Sequence, residues 1–238
     1  MTKNKGQIDR IEKYESLMHE AEDLLRGGDS STEAVGRLRI LTQELAAYYA
    51  SDEWKRDFAA DEAGLLPDDL KRGVLSEDGL YNLLEESREF QVEALLTMPY
   101  WVIDILPKQV PMESPGQFFA VEKYFLKEER LAEIKQKHIN VILKLNCYRQ
   151  IVLDGETAAN PSPEHVAEEV RRRYLYVLVD DAMILSEPDD THMTVFNPDE
   201  KLLKLIEPIA ASEGLFVWRP AAQASAAEAE VKRNDRNE

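Results

Sequence analysis

The stretch from Tyr174 to Trp218 constrains the fold most. It reads Tyr-Leu-Tyr-Val-Leu-Val, an acidic pair at Asp180 and Asp181, Met-Ile-Leu, and a second acidic loop through Asp190. Met-Thr-Val-Phe, a helical pattern and Leu-Phe-Val-Trp complete it. Short runs of β-branched, aromatic and aliphatic residues bounded by Asp, Asn and Pro are strand signals, and several are too apolar to leave a face in water. A covered sheet is therefore the expected core of the C-terminal half.

The segments before it supply the remaining parts. Tyr100 to Leu106 is an apolar run closed by Pro107 and reads as the first strand of this half, while Phe118 to Phe125 fits either a strand or the start of a helix. Leu131, Ile134, His138, Val141, Ile142 and Leu145 recur at helical spacing and predict a helix of about five turns. Tyr148 to Leu153 reads as a strand with Asp154-Gly155 as its turn. Ser162 and Pro163 then occupy the cap and first position of a short helix. Strands are expected at 174–179, 182–185, 191–196 and 215–218, with Asn197-Pro198-Asp199 opening a helix that Pro208 would kink. The order strand, helix, strand, strand, helix, strand fits a ferredoxin-like split unit with additions, so residues 98–220 read as an α+β domain. Residues 221–238 have almost nothing to bury and are expected to form a disordered tail.

The first half follows a different period. Ile11, Tyr14, Leu17, Met18, Ala21, Leu24 and Leu25 recur every three or four residues among charges, and Gly27-Gly28-Asp29 ends that helix. Ser30 with Glu33 has capping-box spacing for a second helix, whose stripe is Val35, Leu38, Leu41, Leu45, Tyr48 and Tyr49. So short a turn makes the two antiparallel, and the segment 51–93 must cover the hairpin they form. Residues 1–97 thus read as an all-α helical module, and the whole chain as α+β.

Within that cover, Tyr48-Tyr49, Trp54, Lys55, Asp57 and Phe58 precede Leu66-Pro67-x-x-Leu70-Lys71-Arg72-Gly73-Val74-Leu75-Ser76-Glu77-Asp78-Gly79-Leu80-Tyr81. These residues resemble the bacterial domain-of-unknown-function family number 4298, over roughly residues 7 to 90. The resemblance implies a small helical domain without an established activity or cofactor. Read by themselves, Asp68 and Asp69 fit one helix start, Ser76 and Asp78 another, and Gly73 and Gly79 fit turns. A second reading makes the segment a docking patch, with Trp54 or Tyr81 as aromatic anchor and Asp57, Asp61, Asp68 and Asp69 in its rim.

Charge narrows the partners. Lys and Arg number 29 against 46 Asp and Glu, a net charge of −17, which repels nucleic-acid phosphates and anionic lipid and suits a basic protein partner. Neither nucleic acid nor membrane is expected as a partner, and the sequence leaves the oligomeric state open. A single cysteine, Cys147, excludes an internal disulfide, and the start of the chain carries no apolar signal region, so a bacterial cytoplasmic protein is expected.

Strong catalytic signatures are missing: the sequence has no Gly-rich phosphate loop, nucleophile elbow, Cys-x-x-Cys or His-Glu-x-x-His. No cofactor is expected. Asp189, Asp190 and His192 flank predicted strands, where carboxylates with an imidazole can bind a divalent cation; carboxylates in hairpin turns also simply solvate them. His165 and Glu168 sit one helical turn apart, and Arg171-Arg172-Arg173 is the concentrated basic element, expected to cap its helix and pair with carboxylates. The leading expectation is a non-enzymatic, immunity- or antitoxin-like protein-binding module with an acidic face. The alternative is a metal-assisted enzyme using Asp189, Asp190 and His192.

Overall fold

The structure, a computed structural model, describes residues 3–221 apart from Gly155, Thr157 and Ala158. The turn residue expected at Gly155 lies outside the described residues, as does all of the tail expected over 221–238 except Ala221. Two compact units divide the chain, Met1–Thr97 and Met98–Glu238. Among the described residues no helix is long and apolar enough to cross a membrane.

In the first unit α1 (Lys3–Gly27) and α2 (Thr32–Tyr49) pack together. Lys13 bonds Glu44 and Glu20 bonds Arg37, so positions rise along one helix as they fall along the other, and the pair is antiparallel. The cap of α2 is Ser31, whose hydroxyl accepts from the Ala34 N–H, and not Ser30. Ser51 caps α3 (Asp52–Glu62) and Ser76 caps α4 (Glu77–Leu96) in the same way, each satisfying an N–H that the first helical turn leaves free. No helix starts at Asp68 or Asp69; both lie exposed in a turn that leads to a 3-10 turn at Gly73–Leu75. Gly79 lies inside the first turn of α4 and is not a turn residue between elements. Ile11, Leu38, Leu41, Leu45, Leu75 and Leu80 fill the centre.

The motif residues hold this unit from inside. Trp54 is buried against Phe58 and Tyr49, and its indole N–H donates to the Val74 carbonyl at 3.0 Å. Glu15 of α1 accepts from the Val74 N–H at Oε2, 2.8 Å away, and a Cβ on Gly73 would sit 3.3 Å from Oε1, the other oxygen of that carboxylate. Both backbone groups of Val74 are therefore satisfied by side chains from distant helices. Trp54→Phe keeps most of the ring but strands the Val74 carbonyl, and should lower the stability of this unit by about 1–3 kcal/mol, read from the helical melting transition.

In the second unit β1 (Tyr100–Asp104) is followed by α5 (Phe118–Phe125), α6 (Glu128–Asn146), β2 (Ile151–Leu153) and α7 (Pro163–Arg172). Then come β3 (Leu175–Val179), β4 (Ala182–Ser186), β5 (Met193–Phe196), α8 (Glu200–Ser212) and β6 (Phe216–Trp218). The 118–125 segment is thus a helix. The six strands form one sheet in the order β2-β3-β4-β5-β1-β6, every neighbouring pair antiparallel. With α6 and α8, the run β4-β5-β1-β6 is the ferredoxin-like split unit, and β2-α7-β3 is an insertion that widens the sheet at one edge.

Helices α7 and α8 both pack on α6, and Ile139, Ile142, Leu145, Val166, Val170, Leu202 and Ile206 meet Ile103, Val177, Ile184 and Val195 from the strands. The helices therefore cover one face of the sheet. Asp180, at φ 50, takes the left-handed conformation that a two-residue hairpin between Val179 and Ala182 requires. Asp199 caps α8, with Pro208 inside the helix, and Ser162 with Pro163 opens α7.

Candidate interaction surface and buried polar cluster

The β4–β5 connection gathers an unusual set of polar side chains. Lys135 and His138, one turn apart on α6, are 3% and 0% exposed. The Lys135 Nζ lies 3.2 Å from His138 Nδ1 and donates to the Glu187 carbonyl in the connection. An ammonium only donates, so His138 accepts at Nδ1 and carries its proton on Nε2. That Nε2 is buried without a partner of full hydrogen-bond geometry, the Thr191 backbone being the group beside the ring. His192 Nδ1 and Asp190 Oδ1 are 2.7 Å apart. Because Ile103 pairs with Met193 across antiparallel β1 and β5, Asp104 falls opposite His192.

Electrostatics follow from burial and pairing. Burial, helped by the neighbouring Lys135 charge, drives the His138 imidazole down to about 3, so it is neutral at any ordinary pH. Burial likewise lowers the Lys135 amine to about 8, against the pull of Asp190, Asp189 and Glu187. Bonding to Asp190 raises His192. Burial alone would raise Asp190, but bonds from His192 and from the Thr191 and His192 backbone hold it below the usual carboxylate range. Asp104 is raised by burial.

Two of the three residues singled out in the sequence, Asp190 and His192, are thus brought together, while Asp189 is exposed and acts on Lys135 only through its charge. Among the described residues no group of three or more His, Cys, Asp or Glu is arranged to hold a metal ion. The Asp190 carboxylate and the His192 imidazole pair with each other, and the buried Lys135 ammonium feels the charges of Asp190 and Asp189. A buried ammonium fastens the β4–β5 connection to α6 through a backbone carbonyl.

Sequence reasoning missed Lys135, although a signal was present. Lys135 lies beside Ile134 on the stripe that carries His138, Val141 and Ile142, where a lysine interrupts an otherwise apolar face.

The other candidates resolve as internal contacts. His165 pairs with Glu156 and not with Glu168. Arg172 and Arg173 bond Glu169, and Arg173 also forks onto Asp154 at 3.0 Å. Arg171 reaches Gln136 and the Ala167 carbonyl.

On the first unit the predicted docking residues separate into two groups. Asp57 is fully buried and accepts from Arg10 at 2.6 and 2.8 Å, from the Tyr48 hydroxyl at 2.7 Å and from Gln7 at 2.9 Å. Burial pushes its carboxyl up, but those bonds together bring it below its ordinary value. Trp54 is buried as well, so neither residue is a surface anchor. Asp61 is half-buried and paired with Arg72 at 2.8 Å. Tyr81, in contrast, is 53% exposed at the start of α4. Glu77 and Asp78 lie exposed in the same turn, and the Tyr49 hydroxyl is raised by burial first and then by the charges of Glu77 and Asp78. Asp68 and Asp69 are also exposed.

By fold, then, the chain is a helical module followed by an α+β sheet domain. Residues 11–97 match the family model described as a domain of unknown function (DUF4298), a match that starts within α1 and ends at the last residue of the helical module. No curated protein and no solved structure matches the chain.

Proposed function

We propose that the protein works by binding another protein through the outward acidic side of its helical module, and that the partner presents a basic surface. The observation that carries this reading is Tyr81: a large side chain left 53% exposed, beside the exposed Glu77 and Asp78, while Trp54 and Asp57 turn inward. An exposed tyrosine within a carboxylate rim is the composition of an interface hot spot. The net charge of −17 adds long-range attraction for a basic partner. A neutralising role of the immunity or antitoxin kind has this chemistry, and a reducing cytoplasm suits the free thiol of Cys147.

Steering of this kind is screened by salt, so the association rate and affinity for the partner should fall steeply as ionic strength rises, with a smaller change in dissociation. Surface plasmon resonance across a salt series measures both rates. Binding that is indifferent to salt would contradict the proposal.

A further inference from the structure

The connection from Glu187 to His192 joins two paired strands, Ser186 of β4 lying opposite Met193 of β5. Inside it, Asp190 accepts from the His192 N–H at 3.3 Å and pairs with the His192 ring, and the Asp190 N–H reaches back to the Glu187 carbonyl at a long 3.4 Å. Among the described residues, Lys135 is the one side chain from outside the connection that bonds it with full hydrogen-bond geometry. Within the connection only Thr191 is buried.

That single tether depends on a neighbour. The Lys135 ammonium also donates to His138 Nδ1, so the imidazole must keep that nitrogen free to accept. A proton added there removes the acceptor and puts a second positive charge 3.2 Å from the first, between side chains that are 3% and 0% exposed. Burial first and the Lys135 charge second hold the imidazole near 3 while the connection is closed; a detached connection returns it to water and toward its ordinary 6.5. Detachment breaks one tether and rehydrates an ammonium that burial penalises, whereas unfolding the sheet breaks every ladder bond of β4 and β5.

The charges that face this pair are Glu187, Asp189, Asp190 and His192 of the connection, with Asp104 of β1 acting on His192. Helix α7 and the end of α8 meet α6 along another row, where Arg171 bonds Gln136 and Glu213 bonds Asn140 and Lys144, and α5 meets it at its start, where Arg130 lies over Tyr124. Lys135, lowered to about 8, keeps its charge throughout the acid range, and the Asp190–His192 pair is internal to the connection, so detachment does not break it. Asp104, raised by burial, works in the opposite sense, since its closed form takes up a proton more readily.

We propose that the β4–β5 connection is an acid-released latch: the Lys135 ammonium holds it against α6 while His138 is neutral, and protonation of His138 detaches it with the sheet still folded. The opening bares two cationic side chains in a chain of net charge −17, so it changes local charge as well as shape. The device belongs to the second unit and is independent of the acidic-side reading.

Thiol reactivity in the full chain tests it. In a Cys147→Ser background, Thr191→Cys places a thiol in the connection, and Val177→Cys places one in the middle of β3, where the native side chain is 0% exposed. Each chain is treated with a pyridyl disulfide, which reacts with thiols in acid as well as at neutrality, and its rate is divided by that of free cysteine at the same pH. The Thr191→Cys ratio should rise about tenfold per pH unit below 6.5 and exceed the Val177→Cys ratio at least about a hundredfold at every pH. Adding His138→Gln should remove the rise, and adding Lys135→Ala, which deletes the tether, should raise the ratio at neutral pH as well. Equal ratios at the two thiols, a Thr191→Cys ratio indifferent to acid, or an acid response that persists with His138→Gln would overturn the proposal.

Discussion

Asp57→Ala is expected to remove about 3–5 kcal/mol from the stability of the helical module, the usual cost of deleting one partner of a buried, hydrogen-bonded charge pair. The deletion leaves three donors behind. The Tyr48 hydroxyl is buried and loses its acceptor outright, whereas Arg10 is 30% exposed at its side chain and can turn to water, which places the loss toward the lower end of the range. A module of this size melts about 4–8 °C lower per kcal/mol, so the helical transition should move down by well over ten degrees. Asp57→Asn keeps the size and some bonds and should cost less. Asp68→Ala, at an exposed carboxylate of the same stretch, should stay within about 0.5 kcal/mol of wild type. Equal effects at the two positions would show that Asp57 is not the internal tie.

The acid sensitivity of the second unit carries the other large effect. His138 is held neutral, with its pKa depressed from 6.5 to about 3. A depressed histidine means that the unfolded chain binds the extra proton in that interval, so stability rises with pH there and is lost as pH falls. The loss begins near pH 6.5, where the unfolded histidine starts to protonate, and ends near pH 3. Its slope approaches about 1.4 kcal/mol per pH unit. The sign is opposite for His192, whose raised value gives stability that is present at low pH and lost as pH rises through the folded value. The hydrogen-exchange protection factors of the β3, β4 and β5 amides, taken against the intrinsic rate at each pH, should therefore fall steeply on acidification. His138→Leu should flatten the slope below pH 6.5 while leaving the exchange pattern near neutrality native-like. An unchanged slope in that variant would place the acid sensitivity elsewhere.

Much of the fold is legible in the chain because its signals are local. Ser51, Ser76, Ser162 and Asp199 cap their helices with bonds to residues three positions on, and alternation in Leu175–Val179 follows from one pleated strand. The strand order with its inserted β2-α7-β3 is consistent with apolar runs that had to be covered. What escaped local reading depends on distant partners. Lys135 is buried because a carbonyl 52 residues away accepts from it, and Asp57 because Arg10 and Gln7 come from another helix. Helix α5 had no readable period, since an eight-residue run of mostly apolar side chains broken only by Glu122 and Lys123 looks alike as strand and as helix. Among the motif residues, composition does not distinguish Trp54, which is core, from Tyr81, which is surface.

That division between inward motif and outward acidic side is tested most directly by affinity capture from the native host with three baits at low salt. The baits are wild type, a Tyr81→Ala, Glu77→Lys, Asp78→Lys triple variant, and a Phe119→Glu, Tyr124→Glu double variant at exposed side chains of α5, with capture quantified by mass spectrometry. The wild type and the double variant should retain the same basic protein in stoichiometric amount and release it as salt is raised, while the triple variant, with wild-type circular dichroism, retains none. Equal retention of that protein by the triple variant, or a salt-insensitive capture that is the same for all three baits, would contradict the acidic side as the binding surface.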